Sequence, residues 1–90
     1  MTTTATAPAS PTQLRKNLGA GIRTARSQRG LTLRQACKLS GVSFGYWCEV
    51  ERGDKQASFE TLTQVCAALD ISLQALFNFM FKESNGEARV

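Results

Sequence analysis

Two short helical patterns, each ended by a glycine, lie near the middle of this 90-residue chain and constrain its fold more than any other feature. Thr32 and Gln35 form a capping box, in which a hydroxyl and an amide side chain satisfy free backbone groups at a helix start. Gly41 ends that helix, because glycine takes the left-handed conformation of a sharp reversal without side-chain strain. Ser43 caps a second helix that ends at Gly53. A helix, a tight turn and a second helix is the arrangement that places a helix in a DNA major groove.

Apolar residues recur every three or four positions in three further segments, which predicts five helices and no strand. Helix 1 is predicted from about residues 11–12 to residue 28, helix 4 over about 59–69, and helix 5 after a cap at Ser72. The apolar faces of these three helices contain Leu14, Leu18, Ile22, Ala25, Phe59, Leu62, Val65, Cys66, Leu69, Leu73, Leu76, Phe77 and Met80. The fold class is therefore all-α, in a five-helix bundle.

Residues 13–82 are predicted to form the folded domain. Residues 1–12 are mostly Thr, Ala, Pro and Ser without a charged side chain, so burial there cannot offset the entropy cost of ordering, and a disordered tail is predicted. Residues 83–90 are predicted to be a frayed C-terminal tail. No apolar run approaches the roughly 20 residues of a membrane span. The N-terminus also lacks the pattern of a secretory signal, so no membrane partner and a cytoplasmic location are expected.

Charge is distributed unevenly along the chain, although the net charge is only +4. Residues 14–40 contain seven Lys and Arg residues and no acid, whereas residues 49–70 contain five acids and two cations. Such polarity is typical of a domain that presents one basic face to phosphates. Solvated helix faces would give the same composition, so charge alone leaves both interpretations open.

The composition favours neither a metal site nor an enzyme. The chain has no histidine, and Cys37, Cys48 and Cys66 form no C-x-x-C pair, so zinc ligation is not expected. Each cysteine lies in a predicted helix, where a free thiol is typically a small buried hydrophobe; a redox switch is the alternative. There is no glycine-rich phosphate loop or pair of carboxylates in an apolar setting. We therefore expect no cofactor and no catalytic activity.

Residues 18–77 resemble the Cro/repressor-type (XRE-type) helix-turn-helix domains, whose fold is the lambda repressor-like bundle. The segments that carry the resemblance are IRTAR, LTLRQACKLSGVSFGY, EVERG, SFETLTQVCAALDIS and LQALF. The segment VSFGYWCEVERGDKQAS is also similar to actinobacterial activators of Clp protease genes and to small controller proteins of restriction–modification systems. The resemblance implies a bacterial transcription regulator that binds double-stranded DNA as a homodimer. It also implies an inverted-repeat operator with helix 3 in the major groove.

The resemblance and the residue chemistry assign contacts along helices 2 and 3 and the loop that follows. Base contacts are expected from Phe44, Gly45 and Glu49. Phosphate contacts are expected from Thr32, Arg34, Lys38, Ser43, Tyr46, Arg52, Lys55 and Gln56. Phe44 is suited to a thymine methyl group, and Glu49 to cytosine N4.

Each of these assignments has a structural alternative. Phe44 would instead belong partly to the core, and Tyr46 would be a packing residue. Glu49 would form a surface salt bridge, for instance to Arg34 or Arg52. The cations of helix 2 would lie on a generic solvated face.

The apolar ending LFNFMF predicts a self-complementary surface. The expected dimer interface is Phe77, Phe79, Met80 and Phe81, and closure of the intramolecular core is the alternative. RNA polymerase is a further candidate partner through an acidic face of helices 3 and 4, but charge does not reveal activation or repression. The competing function is a protein-binding adapter or antitoxin-like partner with the same fold, favoured by weakly polar recognition positions at residues 44 and 45.

Overall fold

The computed structural model describes residues 10–85, and these residues form five α-helices and no strand. The helices are α1 (Pro11–Gln28), α2 (Leu33–Ser40), α3 (Phe44–Arg52), α4 (Phe59–Leu69) and α5 (Leu73–Asn85). The all-α class and the five-helix order are confirmed. The predicted tails lie largely outside the described residues, at positions 1–9 and 86–90.

The two ends of the folded region extend beyond the predicted limits of residues 13 and 82. The Ser10 side chain caps α1 by accepting a hydrogen bond from the Gln13 backbone N–H at 3.1 Å. Pro11 then occupies the first helical position, where its fixed φ angle suits the helix and its missing N–H costs nothing. The helix therefore begins inside the segment predicted to be a tail, and α5 continues to Asn85.

The capping pattern of the middle helices is confirmed in detail. The Thr32 N–H donates to Gln35 Oε1 at 2.8 Å, and the Gln35 N–H donates to Thr32 Oγ1 at 3.1 Å. Gly41 and Gly53 end α2 and α3 with φ angles of 79° and 80°. The helices on either side of the predicted turn therefore start and stop where local sequence dictates.

The hydrophobic core receives residues from all five helices. One buried residue from each, in chain order, is Ile22, Ala36, Trp47, Leu69 and Leu76, and none is more than 1% exposed. The smallest of them, Ala36, shares this cluster with the largest, Trp47. Burial of Trp47 and of its neighbour Val50 fixes one side of α3 inside the bundle, which leaves its opposite side for solvent.

Gly19 allows α1 to approach the end of α3 closely. A Cβ atom at this position would clash with the backbone carbonyl oxygens of Val50 and Glu51. Because backbone atoms cannot rotate away as a flexible side chain can, any larger residue would force α1 and α3 apart. This glycine therefore contributes to the position of α3 despite its low helix propensity.

Three residues on the predicted apolar faces, Leu14, Phe59 and Phe77, lie outside the core. Leu14 is 46% exposed and Phe59 is 75% exposed. Phe59 is the first residue of α4, and helical side chains lean toward the helix N-terminus, so its ring projects beyond the start of the helix. Within residues 10–85, no single helix has the length and apolar character of a membrane span, and α4 with α5 reaches it only as a pair bent by 94°.

Candidate nucleic-acid interface

The N-terminal end of α3 faces solvent. Ser43, Phe44 and Gly45 are all exposed, and a Cβ atom built at Gly45 meets nothing within 4 Å. Phe44 is 41% exposed and is not part of the core cluster, which argues against the alternative that it belongs partly to the core. Two of the three predicted base-contacting residues are therefore available at one protruding helix end.

Phe44 is covered on one face by a cation from the preceding helix. The Arg34 guanidinium carbon lies 4.9 Å from the centroid of the Phe44 ring. This distance is within the range of a cation–π interaction. The contact joins the start of α2 to the start of α3, so Arg34 is not simply a member of a solvated face.

Glu49 pairs with a residue that the sequence did not identify as its partner. Its carboxylate lies 3.9 Å from Lys55 Nζ, and not against Arg34 or Arg52. Arg52 instead donates to Asp54 at 2.9 Å, and this hydrogen bond raises the pKa of its guanidinium. Exposed ion pairs contribute little to stability, so both cations are able to exchange their acidic partners for phosphates.

Tyr46 holds the loop after α3. Its hydroxyl group donates to the Gln56 backbone carbonyl at 3.0 Å. The hydroxyl hydrogen is thereby used inside the protein, which differs from the direct phosphate contact expected from the sequence. Tyr46 positions the loop that carries Lys55 and Gln56, whose side chains are exposed.

Hydroxyl groups at the starts of α2 and α3 retain donor capacity. The oxygens of Thr32 and Ser43 accept capping hydrogen bonds from Gln35 and Tyr46, at 3.1 and 3.3 Å. A hydroxyl that accepts a cap keeps its own O–H group free to donate. Both starts are exposed and have helix-dipole polarity that favours anions. The arrangement suits a phosphate backbone lying across these two helix ends.

A largely buried ion pair between α1 and α3, which the sequence analysis did not predict, helps to hold α3 in place. Arg26 donates to Glu51 at 2.7 and 3.1 Å, and the Trp47 indole N–H donates to the same carboxylate at 2.7 Å. Arg26 also donates to the Leu31 carbonyl, and its hydrogen bond to Glu51 raises its pKa. The sequence counted Arg26 with the cations of the basic face, whereas the structure uses it to hold α3 against α1.

The predicted dimer interface is only partly exposed. Phe77 is 36% exposed, Phe79 packs against the core, and Met80 is 8% exposed. Met80 is buried because it lies beside Gly21 of α1, so it does not belong to an exposed patch as the sequence predicted. The Phe81 side chain lies outside the described residues. Phe77 instead lines an apolar groove of about 320 Å³, whose other apolar residues are Pro11, Leu14, Leu18, Ala57, Leu62 and Met80.

Comparisons with known proteins match the part of the chain that includes residues of all five helices. A family described as a helix-turn-helix domain matches residues 17–77. The transcriptional regulator ClgR of Mycobacterium tuberculosis is 40% identical over 63 residues, which cover 70% of this chain and 56% of that protein. The chain thus spans about half the length of the curated relatives it matches.

Solved structures agree with this comparison. The clp gene regulator ClgR from Corynebacterium glutamicum has a TM-score of 0.77 at 39% identity, over 84% of this chain and 81% of that one. The restriction–modification controller protein C.AhdI from Aeromonas hydrophila has a TM-score of 0.67 at 31% identity, over 69% of this chain and 94% of that one. Both resemblances expected from the sequence are confirmed.

Proposed function

This chain belongs to the Cro/repressor-type (XRE-type) helix-turn-helix family, and from that premise we propose that it is a DNA-binding transcription regulator. The proposal includes binding to an inverted-repeat operator as a homodimer, with α3 in the major groove of each half-site. The observation that carries it is the exposed start of α3, where Phe44 and Gly45 lie beside α2, whose cations form no ion pair within residues 10–85.

Base contacts in this proposal come from the exposed side of α3. Phe44 contacts a thymine methyl group, and Gly45 permits close approach of the helix to the base edges. Glu49 lies one turn further along the helix and accepts a hydrogen bond from cytosine N4 when Lys55 turns toward a phosphate. The burial of Trp47 supports the outward orientation of Gly45 and Glu49, because each is two residues from Trp47 and lies on the opposite side of α3.

Phosphate contacts position the helix without reading sequence. We assign them to the hydroxyls of Thr32 and Ser43, to Lys38, and to the loop after α3. Within residues 10–85, Lys38 has no acidic partner, so its charge is available without the loss of an ion pair. On the loop, Arg52, Lys55 and Gln56 supply the remaining contacts, held in place by Tyr46.

The dimer interface in this proposal lies on the groove between α1 and α5. Phe77 and Leu14 are exposed apolar residues that line it, and a second copy would remove both from water. A two-fold axis through α5 would present the same patch from each protomer, and two copies of α3 would then read half-sites about one helical turn apart. RNA polymerase remains a proposed further partner.

Binding to defined DNA tests this function. Fluorescence anisotropy of the full chain should show saturable binding to duplexes from upstream of its own coding region or from upstream of clp genes, since similar proteins are clp gene regulators. Log affinity should fall linearly with log salt concentration, because phosphate contacts release counterions. A scrambled duplex of equal length is the control. Absence of a preferred sequence in both regions and in a random-duplex selection would contradict the proposal and favour an adapter that binds protein.

A further inference from the structure

Arg34 differs in its surroundings from the other arginine of α2 and α3. Arg52 is hydrogen-bonded to Asp54, whereas the Arg34 guanidinium has neither an acidic partner nor a hydrogen bond among the described residues. Its guanidinium carbon lies 4.9 Å from the centroid of the Phe44 ring. The guanidinium is therefore held in place without using any of its N–H donors.

The contact between Arg34 and Phe44 lies where the N-terminal ends of α2 and α3 are close together. Phe44 is the first residue of α3, and Arg34 is the second residue of α2. The two exposed helix starts therefore meet at a single pair of side chains. A guanidinium that covers an aromatic face keeps its five donors at the edge of the plane, where they form a rigid fork. Whatever surface Phe44 contacts, the fork of Arg34 lies beside it.

We propose that Arg34 and Phe44 act together as one base-reading unit, which recognises a thymine and a neighbouring guanine in each half-site. The inference rests on the proposed function and extends it. Phe44 contacts the thymine methyl group, and Arg34 donates two hydrogen bonds to guanine O6 and N7, the acceptor pair that arginine matches best. The phosphate role that the sequence assigned to Arg34 is replaced, while Lys38 keeps its phosphate role.

Charge-conserving substitution separates base reading from phosphate contact. Arg34→Lys keeps the positive charge but removes the planar fork, and Arg29→Lys is the matched change at an arginine that has no assigned DNA contact and lies 3.7 Å from Asp70. Operators are first selected from random duplexes with the unaltered full chain. We expect the selected half-site to contain adjacent thymine and guanine, and Arg34→Lys to weaken binding to it about 5- to 100-fold. For Arg34→Lys, non-specific binding and the circular dichroism spectrum should stay unchanged, and Arg29→Lys should alter specific affinity less than twofold.

Modified bases identify the atoms involved. Replacing the guanine with 7-deazaguanine removes N7, and replacing the thymine with uracil removes the methyl group. We expect 7-deazaguanine to weaken binding of the unaltered chain but not of Arg34→Lys, and uracil to weaken the unaltered chain but not Phe44→Ala. Equal loss on specific and non-specific DNA for Arg34→Lys, or a selected site without this step, overturns the base-reading unit and leaves the regulator proposal intact. Failure of the unaltered chain to select any sequence overturns both.

Discussion

Arg26 and Glu51 are joined by two parallel hydrogen bonds of 2.7 and 3.1 Å across 25 positions of sequence. Their side chains are only 13% and 8% exposed. The same carboxylate accepts from the Trp47 indole, and the same guanidinium donates to the Leu31 carbonyl. The pair therefore links α1, the turn before α2, and α3. It holds α3 against α1 near the C-terminal end of α3, away from the exposed Phe44 and Gly45 at the start of the helix.

Glu51→Gln should destabilise the fold by about 3 kcal/mol, because it leaves the Arg26 charge buried without its counterion. Urea denaturation followed by circular dichroism measures the change. Glu49→Gln is the matched control: its ion pair with Lys55 is exposed and 3.9 Å long, so its loss should cost less than about 0.5 kcal/mol. Equal effects of the two substitutions would show that the Arg26 pair contributes no more than a surface pair.

Gly19→Ala should lower the free energy of unfolding by about 1–3 kcal/mol, because its methyl group would overlap the carbonyl oxygens that end α3. Gly45→Ala is the comparison. Its methyl group meets nothing within 4 Å, so the gain in helix propensity should raise stability by up to about 1 kcal/mol. The same urea titrations measure both. Stabilisation by Gly19→Ala would contradict close packing of α1 against α3.

The sequence predicted the helices well where local interactions determine them. The capping box at Thr32 and the glycine stop at Gly41 use atoms within four residues of one another, so no tertiary information is needed. The pairing of Arg26 with Glu51 depends on how α1 meets α3, and a count of cations cannot reveal it. The exposure of Phe59 could not be predicted from the sequence either. Its spacing is that of the buried face of α4, although it is 75% exposed.

Some features of the candidate site could likewise be predicted from the sequence, whereas others depend on tertiary structure. Exposure of Phe44 follows from its place as the first residue of α3, where its ring projects beyond the helix start, and the family resemblance indicated this position. The Tyr46 hydrogen bond to the Gln56 carbonyl depends instead on how the following loop returns toward α3. The ring contact with Arg34 likewise depends on the geometry between α2 and α3. Both arise from tertiary arrangement, which a single sequence does not specify.

Lys38→Ala should weaken binding to all DNA sequences by a similar factor and reduce the slope of log affinity against log salt by about 0.9, the value for one lost phosphate contact. Arg29→Ala is the matched control. It removes the same charge from the end of α1, where Arg29 lies 3.7 Å from Asp70, so the slope should stay unchanged. Anisotropy titrations between low and moderate salt measure both. A loss confined to the preferred sequence would contradict a phosphate role for Lys38.

The thiol of Cys66 should make stability depend on pH in the alkaline range. Burial raises the pKa of Cys66 above its ordinary value of 9.0, so the folded protein retains a proton that the unfolded chain loses first. Its contribution is fully present below the unfolded pKa and declines as pH rises, by at most about 1.4 kcal/mol per pH unit. Urea titrations from pH 7 to 10 under reducing conditions should show a shallower decline for Cys66→Ala. An identical decline would show that this thiol titrates equally in both states.

Phe77→Ser should convert the proposed dimer to monomers. Phe77 is 36% exposed beside Leu14, so the substitution removes apolar surface from the groove at little expense to the core, whereas Phe79 packs against the core itself. Sedimentation velocity measures the change, and affinity for a full operator should fall more than affinity for a half-site, because paired half-sites need two joined copies of α3. Phe59→Ser is the matched control: it removes the same exposed ring from α4 and should remain dimeric. If Phe77→Ser stays dimeric while Phe59→Ser dissociates, the interface lies at the start of α4.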